Sequence, residues 1–171
     1  MLYISLLLLL ILTLIGLAAS RNTTFDERMA LRQQDQNLAF QAAEAALRDG
    51  ESLLQAASPG DFNGANGHYM STAAITWETA DWSGTGGDPA LATVPYEGSL
   101  NPAPAHVPRF YLVMAAQADA SGDRDAASSG TLYKVIAKGW GASASDTVVL
   151  ESTYLVGTSG VGVRLSWRQV L

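Results

Sequence analysis

Three aspartates, Asp119, Asp123 and Asp125, lie close together around Gly122. Clustered loop carboxylates suit a hard cation such as calcium, because their oxygens can replace its water shell. The spacing does not match an EF-hand loop, however, and Gly122-Asp123 is also ordinary turn chemistry. The stretch therefore reads first as a solvated loop, with these three residues kept as the metal candidates. The two histidines, His68 and His106, fall in unrelated segments with no ligand pattern nearby, so neither reads as metal-binding or catalytic. No Gly-x-Ser-x-Gly occurs, so no serine sits in a nucleophile elbow. The scattered glycines form no phosphate loop after a strand. There is no cysteine, which removes disulfides and thiolate metal sites together. Asn22-Thr23-Thr24 matches a glycosylation acceptor but reads as chance. Trp82, Tyr96 and Trp140 read as packing aromatics before they read as partner anchors, since such rings favour burial. No cofactor is implied, and nothing in this set makes an enzyme.

The elements that carry these residues follow from composition. The chain has 171 residues, 48% of them hydrophobic and 15% charged, with a net charge of -6. The apolar residues are uneven: positions 1–20 hold no charged side chain, and the first is Arg21. Between Arg48 and Arg109 there is no Lys or Arg, while Glu51, Asp61, Glu78, Asp81, Asp88 and Glu97 fall there. An acidic body excludes nucleic acid as a partner, because phosphate contacts need clustered cations. It favours solubility and leaves a surface open to a basic partner.

Residues 1–19 form an apolar run interrupted only by Ser5, Thr13 and Gly16. At about 1.5 Å per residue such a helix spans roughly 28 Å, close to a hydrocarbon core. A secretory signal needs a basic region ahead of the run, and none precedes it here. Ala18-Ala19-Ser20 only imitates a cleavage edge. There is no Pro before Pro59 and no Gly between Gly16 and Gly50, so the helix is expected to continue. Met29, Gln36, Phe40, Ala43, Leu47, Gly50 and Leu54 share one helical face, apolar from Phe40 onward. Residues 21–37 are polar nearly all round. A helix that leaves the membrane and enters a domain only with its last turns differs from an ordinary anchor, which continues into a flexible linker.

After Ser58-Pro59-Gly60 the periodicity changes. Ala73, Ile75 and Trp77 alternate with Ala74, Thr76 and Glu78, which predicts a short strand. Residues 79–108 read as a long loop. Phe110, Leu112 and Met114 predict a second strand, and residues 122–130 a second loop. Tyr133, Val135 and Ala137 predict a strand with Lys134 and Lys138 outward. Val148, Leu150 and Tyr154 predict another, and Val163, Leu165 and Trp167, with Arg164 and Arg168 outward, a last one. Turns at 141–146 and 157–162 join these into an antiparallel meander with one wet face, lidded by the Phe40–Leu54 helix face. The fold class expected is α+β.

The run Leu-Thr-Leu-Ile-Gly-Leu at 12–17, Glu27-Arg28-Met29-Ala30, and Asn37-Leu38-Ala39-Phe40-Gln41-Ala42-Ala43-Glu44-Ala45-Ala46-Leu47-Arg48 resemble the PilX-type minor pilins of type IV pili. Tyr133-Lys134-Val135-Ile136-Ala137-Lys138-Gly139-Trp140-Gly141 is similar to a strand-turn segment late in that family. Residues 57–130 carry no such motif. The resemblance implies a pilin-like fold: 1–20 as the transmembrane, filament-core half of the helix, 21–56 as its exposed and amphipathic part, and 57–171 as the head. It implies leader removal, N-methylation of Met1, and assembly through a helix carrying Ser5, Gly16, Phe40 and Leu47. It also implies residence in the bacterial inner membrane, head periplasmic, and then at the pilus tip. The partners implied are other minor pilins and the major pilin, with a large tip adhesin as a further candidate. The role implied is priming of pilus assembly.

One departure bears on position. Most pilins place glutamate fifth, against a neighbour's terminal ammonium, and with Met1 as the mature terminus that place holds Ser5. A subunit with no neighbour above it has no need of the carboxylate. The related K-type pseudopilins of type II secretion share the loss and sit at a tip, but usually carry a large extra domain. They and a single-pass anchored adhesive protein are the alternative readings.

Overall fold

The computed structural model describes residues 2–55, 60–83, 91–92, 103–118, 130–157 and 160–171, the side chains of 18–24, 91–92 and 117–118 excepted. The elements run α1 (Leu2–Gln55), β1 (His68–Met70), a 3-10 turn (Ser71–Ala73), β2 (Leu91–Ala92), β3 (Arg109–Ala118), β4 (Gly130–Trp140), β5 (Thr147–Gly157) and β6 (Gly162–Gln169). The chain divides into two compact units, Met1–Asp35 and Gln36–Leu171.

α1 has 54 residues. Leucine, alanine and straight-chain residues dominate it, and no proline interrupts it, so propensity alone favours the helix. In the first unit the described side chains from Leu2 to Leu17 are exposed, as are Phe25, Met29 and Leu31. Among the described residues no helix is long and apolar enough to cross a membrane. The apolar run with described side chains ends at Leu17, whereas Ala18 and Ala19 continue it in sequence.

The second unit is a helix-on-sheet layer. Strand order is β1-β3-β4-β5-β6, with β2 also pairing β3, and every pair is antiparallel except β1 with β3. Backbone bonds close β4-β5 and β5-β6 at their connections, Gly141 N to Asp146 O (2.8 Å) and Gly157 N to Val161 O (3.0 Å). Ala39, Ala43, Ala46, Leu47 and Leu54 of α1 pack on Phe110, Leu112, Tyr133, Val135, Ala137, Val148, Leu150 and Tyr154. The expected lid face is therefore buried from Ala43 to Leu54, with Phe40 half-buried and Gln36 and Met29 exposed. Small residues set the approach. A Cβ on Gly139 would strike the backbone of Ala39 and Ala43, and one on Gly50 would lie 2.6 Å from Val135 Cγ1. The helix backbone rests directly on β4.

Three expectations need correction. The strand read over residues 73–77 does not form. Residues 71–73 make a 3-10 turn, Ala74 takes a left-handed backbone (φ 49°), and Thr76 N bonds Thr79 Oγ1 at 3.0 Å. The strand lies upstream at His68–Met70, while Ile75 and Trp77 are half-buried without being extended. Their alternation reports packing, not pairing. Second, the opposite sheet face is not simply wet. Tyr69, Tyr111, Ile136 and Val149 form a second buried cluster, partly covered by Ile75, Trp77, Ala80 and Trp82.

Third, β6 does not place Val163, Leu165 and Trp167 together under the lid. The register shifts between Thr153 and Tyr154, which pair with Ser166 and Arg164, leaving Leu165 as an extra residue. Arg164, expected outward, turns toward α1, and all three apolar side chains stay exposed. The long segment 79–108 holds the two-residue β2, and Ala105 N bonds Gly141 O at 2.7 Å.

Candidate functional site

The first surface is the start of α1. From Leu2 to Leu17 the large apolar side chains are between 46% (Ile11) and 86% (Tyr3) exposed. So much contiguous apolar surface requires cover, from lipid or from other helices. The aliphatic hydroxyls within it are consumed locally: Ser5 Oγ donates to the Leu2 carbonyl and Thr13 Oγ1 to that of Leu10, each at 2.8 Å, while Tyr3 is exposed. No charge is presented. Gly16 has nothing within 4 Å of where a Cβ would stand, leaving a notch of the kind that lets helices approach closely. Met1 lies outside the described residues.

The second surface belongs to Gln36–Leu171. Phe40 meets Trp167 edge-on, with ring centroids 6.0 Å apart. Leu47 is fully buried and packs the core. The structure thus separates the four helix residues: Ser5 and Gly16 on open surface, Phe40 at an aromatic rim, and Leu47 inside.

Sequence reasoning missed one constellation. Glu51 lies on the buried helix face, its side chain 10% exposed, and accepts three bonds: from Ser152 Oγ (2.7 Å), Arg164 Nε (2.7 Å) and Arg164 Nη2 (2.6 Å). The bonds to Glu51 hold the Arg164 guanidinium above its ordinary pKa, against a smaller opposing effect of burial. Gln55 also donates to the Tyr154 hydroxyl. These contacts tie the last turns of α1 to β5 and β6. The available signal was a carboxylate one turn from Leu47 on an otherwise apolar face, because such a group needs a partner.

On the opposite sheet face Glu151 accepts from Arg168 (2.8 Å) and faces Lys134 (3.7 Å) in a cleft of about 570 Å³ bounded by Trp77 and Tyr111. Burial first, and then Glu151 and Tyr69, push the Tyr111 phenol far above its ordinary value. Lys138 lies 5.6 Å from the Trp82 ring centre and 5.2 Å from that of Trp140, and burial lowers its pKa. Trp82 and Trp140 are packing residues; Tyr96 lies outside the described residues. His68 is buried, with Nδ1 2.9 Å from the Asn66 carbonyl, and His106 packs edge-on against Trp140. Asp119, Asp123 and Asp125 also lie outside the described residues. Among the described residues no group of three His, Cys, Asp or Glu could hold a metal.

An exposed apolar helix followed by small-residue packing of its last turns on an antiparallel sheet is what a pilin subunit requires. Comparison with known families decides the matter: residues 2–48 match the family described as PilX N-terminal, and residues 50–156 match "Type IV pilus assembly protein PilX C-term". The chain belongs to the PilX family. The second match runs through 57–130, where no motif was legible. No curated protein and no solved structure gives a significant match. A PilX chain is a component of type IV pilus assembly, associated with membrane and pilus and with other pilus components. The family is one of structural pilus components.

Proposed function

We propose that this chain is a minor pilin that helps prime assembly of a type IV pilus and sits in the complex at its tip. Residues 1–20 anchor it in the inner membrane before assembly, head periplasmic, and then enter the filament core. Residues 21–56 are the exposed and amphipathic helix, and 57–171 the head. Other minor pilins and the major pilin contact the N-terminal helix, and a large tip adhesin is the further partner. Met1 is the proposed site of methylation.

The observation that carries the reading is the surface of Leu2–Leu17: exposed, apolar, and with the Ser5 and Thr13 hydroxyls bonded to its own backbone. It offers cover-seeking surface and no carboxylate, since no acid precedes Asp26. A buried ammonium of a neighbour would stay unpaired against it, which disfavours shaft positions and favours the end of a filament.

The test is a deletion strain, complemented with the intact gene, in which sheared surface pili are quantified. Loss or sharp reduction of pili, restored on complementation, is expected. Normal pilus number with normal twitching motility would sink the priming role. Mass spectrometry of the native protein is expected to find methyl-Met1.

A further inference from the structure

We propose that the free edge of β6 takes up an extended segment of another pilus component, carrying a carboxylate, as an added strand of the sheet. Among the described residues β6 pairs only with β5. An edge strand presents unpaired N–H and C=O groups and is a template for strand addition. Edges that must stay empty are commonly short, bulged or charged; β6 carries the bulge at Leu165 and two arginines, yet it is eight residues long and leaves three large apolar side chains in solvent. Val163, Leu165 and Trp167 are 55%, 57% and 42% exposed.

The register says what the two faces of an incoming strand would meet. Trp167 pairs with Ser152, which bonds Glu51 of α1, so it faces the helix side and stands beside Phe40. An aromatic pair there is an anchor for an apolar side chain. Arg168 pairs with Glu151 on the other face, its side chain 67% exposed. Glu151 already faces Lys134 as well, so two cations share one carboxylate and a positive charge is left over. Residues 152–171 contain Arg164 and Arg168 and no acid, within a chain of net charge -6.

That charge selects the occupant. Pairing β6 with β6 of a second copy would bring the arginines of both strands onto one short ribbon, and like charges across strands repel. A strand with Asp or Glu opposite or diagonal to Arg168 gains the attraction instead. The family places the chain among pilus components, and the proposal rests on that reading only for the source of the strand.

The experiment uses the full chain in cells that assemble pili, with a photoreactive phenylalanine analogue in place of Leu165, and in a control in place of the exposed Thr72. Cross-linked peptides are sequenced. The expected Leu165 adduct maps to one segment of another pilus component, with alternating apolar residues and a carboxylate, and the Thr72 control does not yield it. Arg168→Glu should lower the adduct about tenfold, as like charges at an interface do, while Arg168→Lys retains it. Because Arg168→Glu also disturbs Glu151, Ser166→Asp supplies a second added charge that leaves the ion pair intact, with the same loss expected. Adducts only to a second copy, only to lipid, or none would overturn the proposal, as would indifference to both charge changes. Pili are counted in the same strains. Normal piliation without an adduct overturns the strand addition alone, whereas the priming role is judged by the deletion strain.

Discussion

Removing Arg164 should harm the head more than removing its partner, Glu51. The Glu51 side chain is 10% exposed and the Arg164 side chain 36%. Arg164→Met deletes two charge-assisted bonds and leaves the carboxylate buried with only the Ser152 hydroxyl. Breaking a buried pair from one side costs roughly 3–5 kcal/mol, and partial exposure of the guanidinium trims this to about 2–4. Glu51→Gln keeps the shape and a bond to Ser152, and the freed Arg164 turns to water, so about 1–2 kcal/mol is expected. In Glu51→Met/Arg164→Met no buried charge remains, and the double variant should be more stable than Arg164→Met alone, by about 1 kcal/mol or more. The assay is urea unfolding of the full chain in detergent micelles, followed by tryptophan fluorescence. All four tryptophans lie within Gln36–Leu171, so the signal reports that unit. Arg164→Met within about 0.5 kcal/mol of wild type, or strictly additive single variants, would refute the reasoning that the pair holds β6 to α1.

Leu47→Ala should lower stability in the same assay by about 2–5 kcal/mol, because Leu47 is fully buried; a change below roughly 0.5 would contradict its place. Gly139→Ala should cost about 1–3 kcal/mol, since the new methyl meets the α1 backbone at Ala39 and Ala43 rather than a movable side chain. The Tyr111 phenol is raised above its ordinary 10.0, so the unfolded chain loses that proton first and stability falls as pH rises beyond about 10. Tyr111→Phe should flatten that fall, and an unchanged alkaline slope would exclude Tyr111 as its source. Ser5→Glu should leave the amount of subunit in sheared pili equal or lower, since a carboxylate within the apolar run costs on the order of 3 kcal/mol unless paired. Increased incorporation along the shaft would overturn the tip position.

The readable parts of the sequence were those where one physical periodicity acts alone. The α1 face from Ala43 to Leu54 was legible because each step of three or four returned to a small or apolar residue. β3, β4 and β5 were legible because period two persists across a strand with both neighbours. At Ile75 and Trp77 the same alternation misled, because a left-handed Ala74 and the Thr76–Thr79 turn bury alternate residues without extending the chain. The Glu51 site was partly legible: a carboxylate on an apolar face demands a partner, but finding Arg164 requires the β5-β6 register.

Register is where composition runs out. Alternation put Val163, Leu165 and Trp167 on one face, and a single extra residue at Leu165 breaks that phase. Beyond it Trp167 pairs with Ser152 on the helix side, whereas Val163 pairs with Leu155, the neighbour of core-facing Tyr154 and so on the opposite side. The slip brings Arg164 opposite Tyr154, within reach of Glu51. It also divides the apolar side chains of β6 between two faces, so neither face gathers enough of them to close over. One bulge thereby accounts for both the internal ion pair and the exposed edge: the arginine that clamps β6 to the helix occupies the inward place that an unbroken strand would have given to an apolar residue.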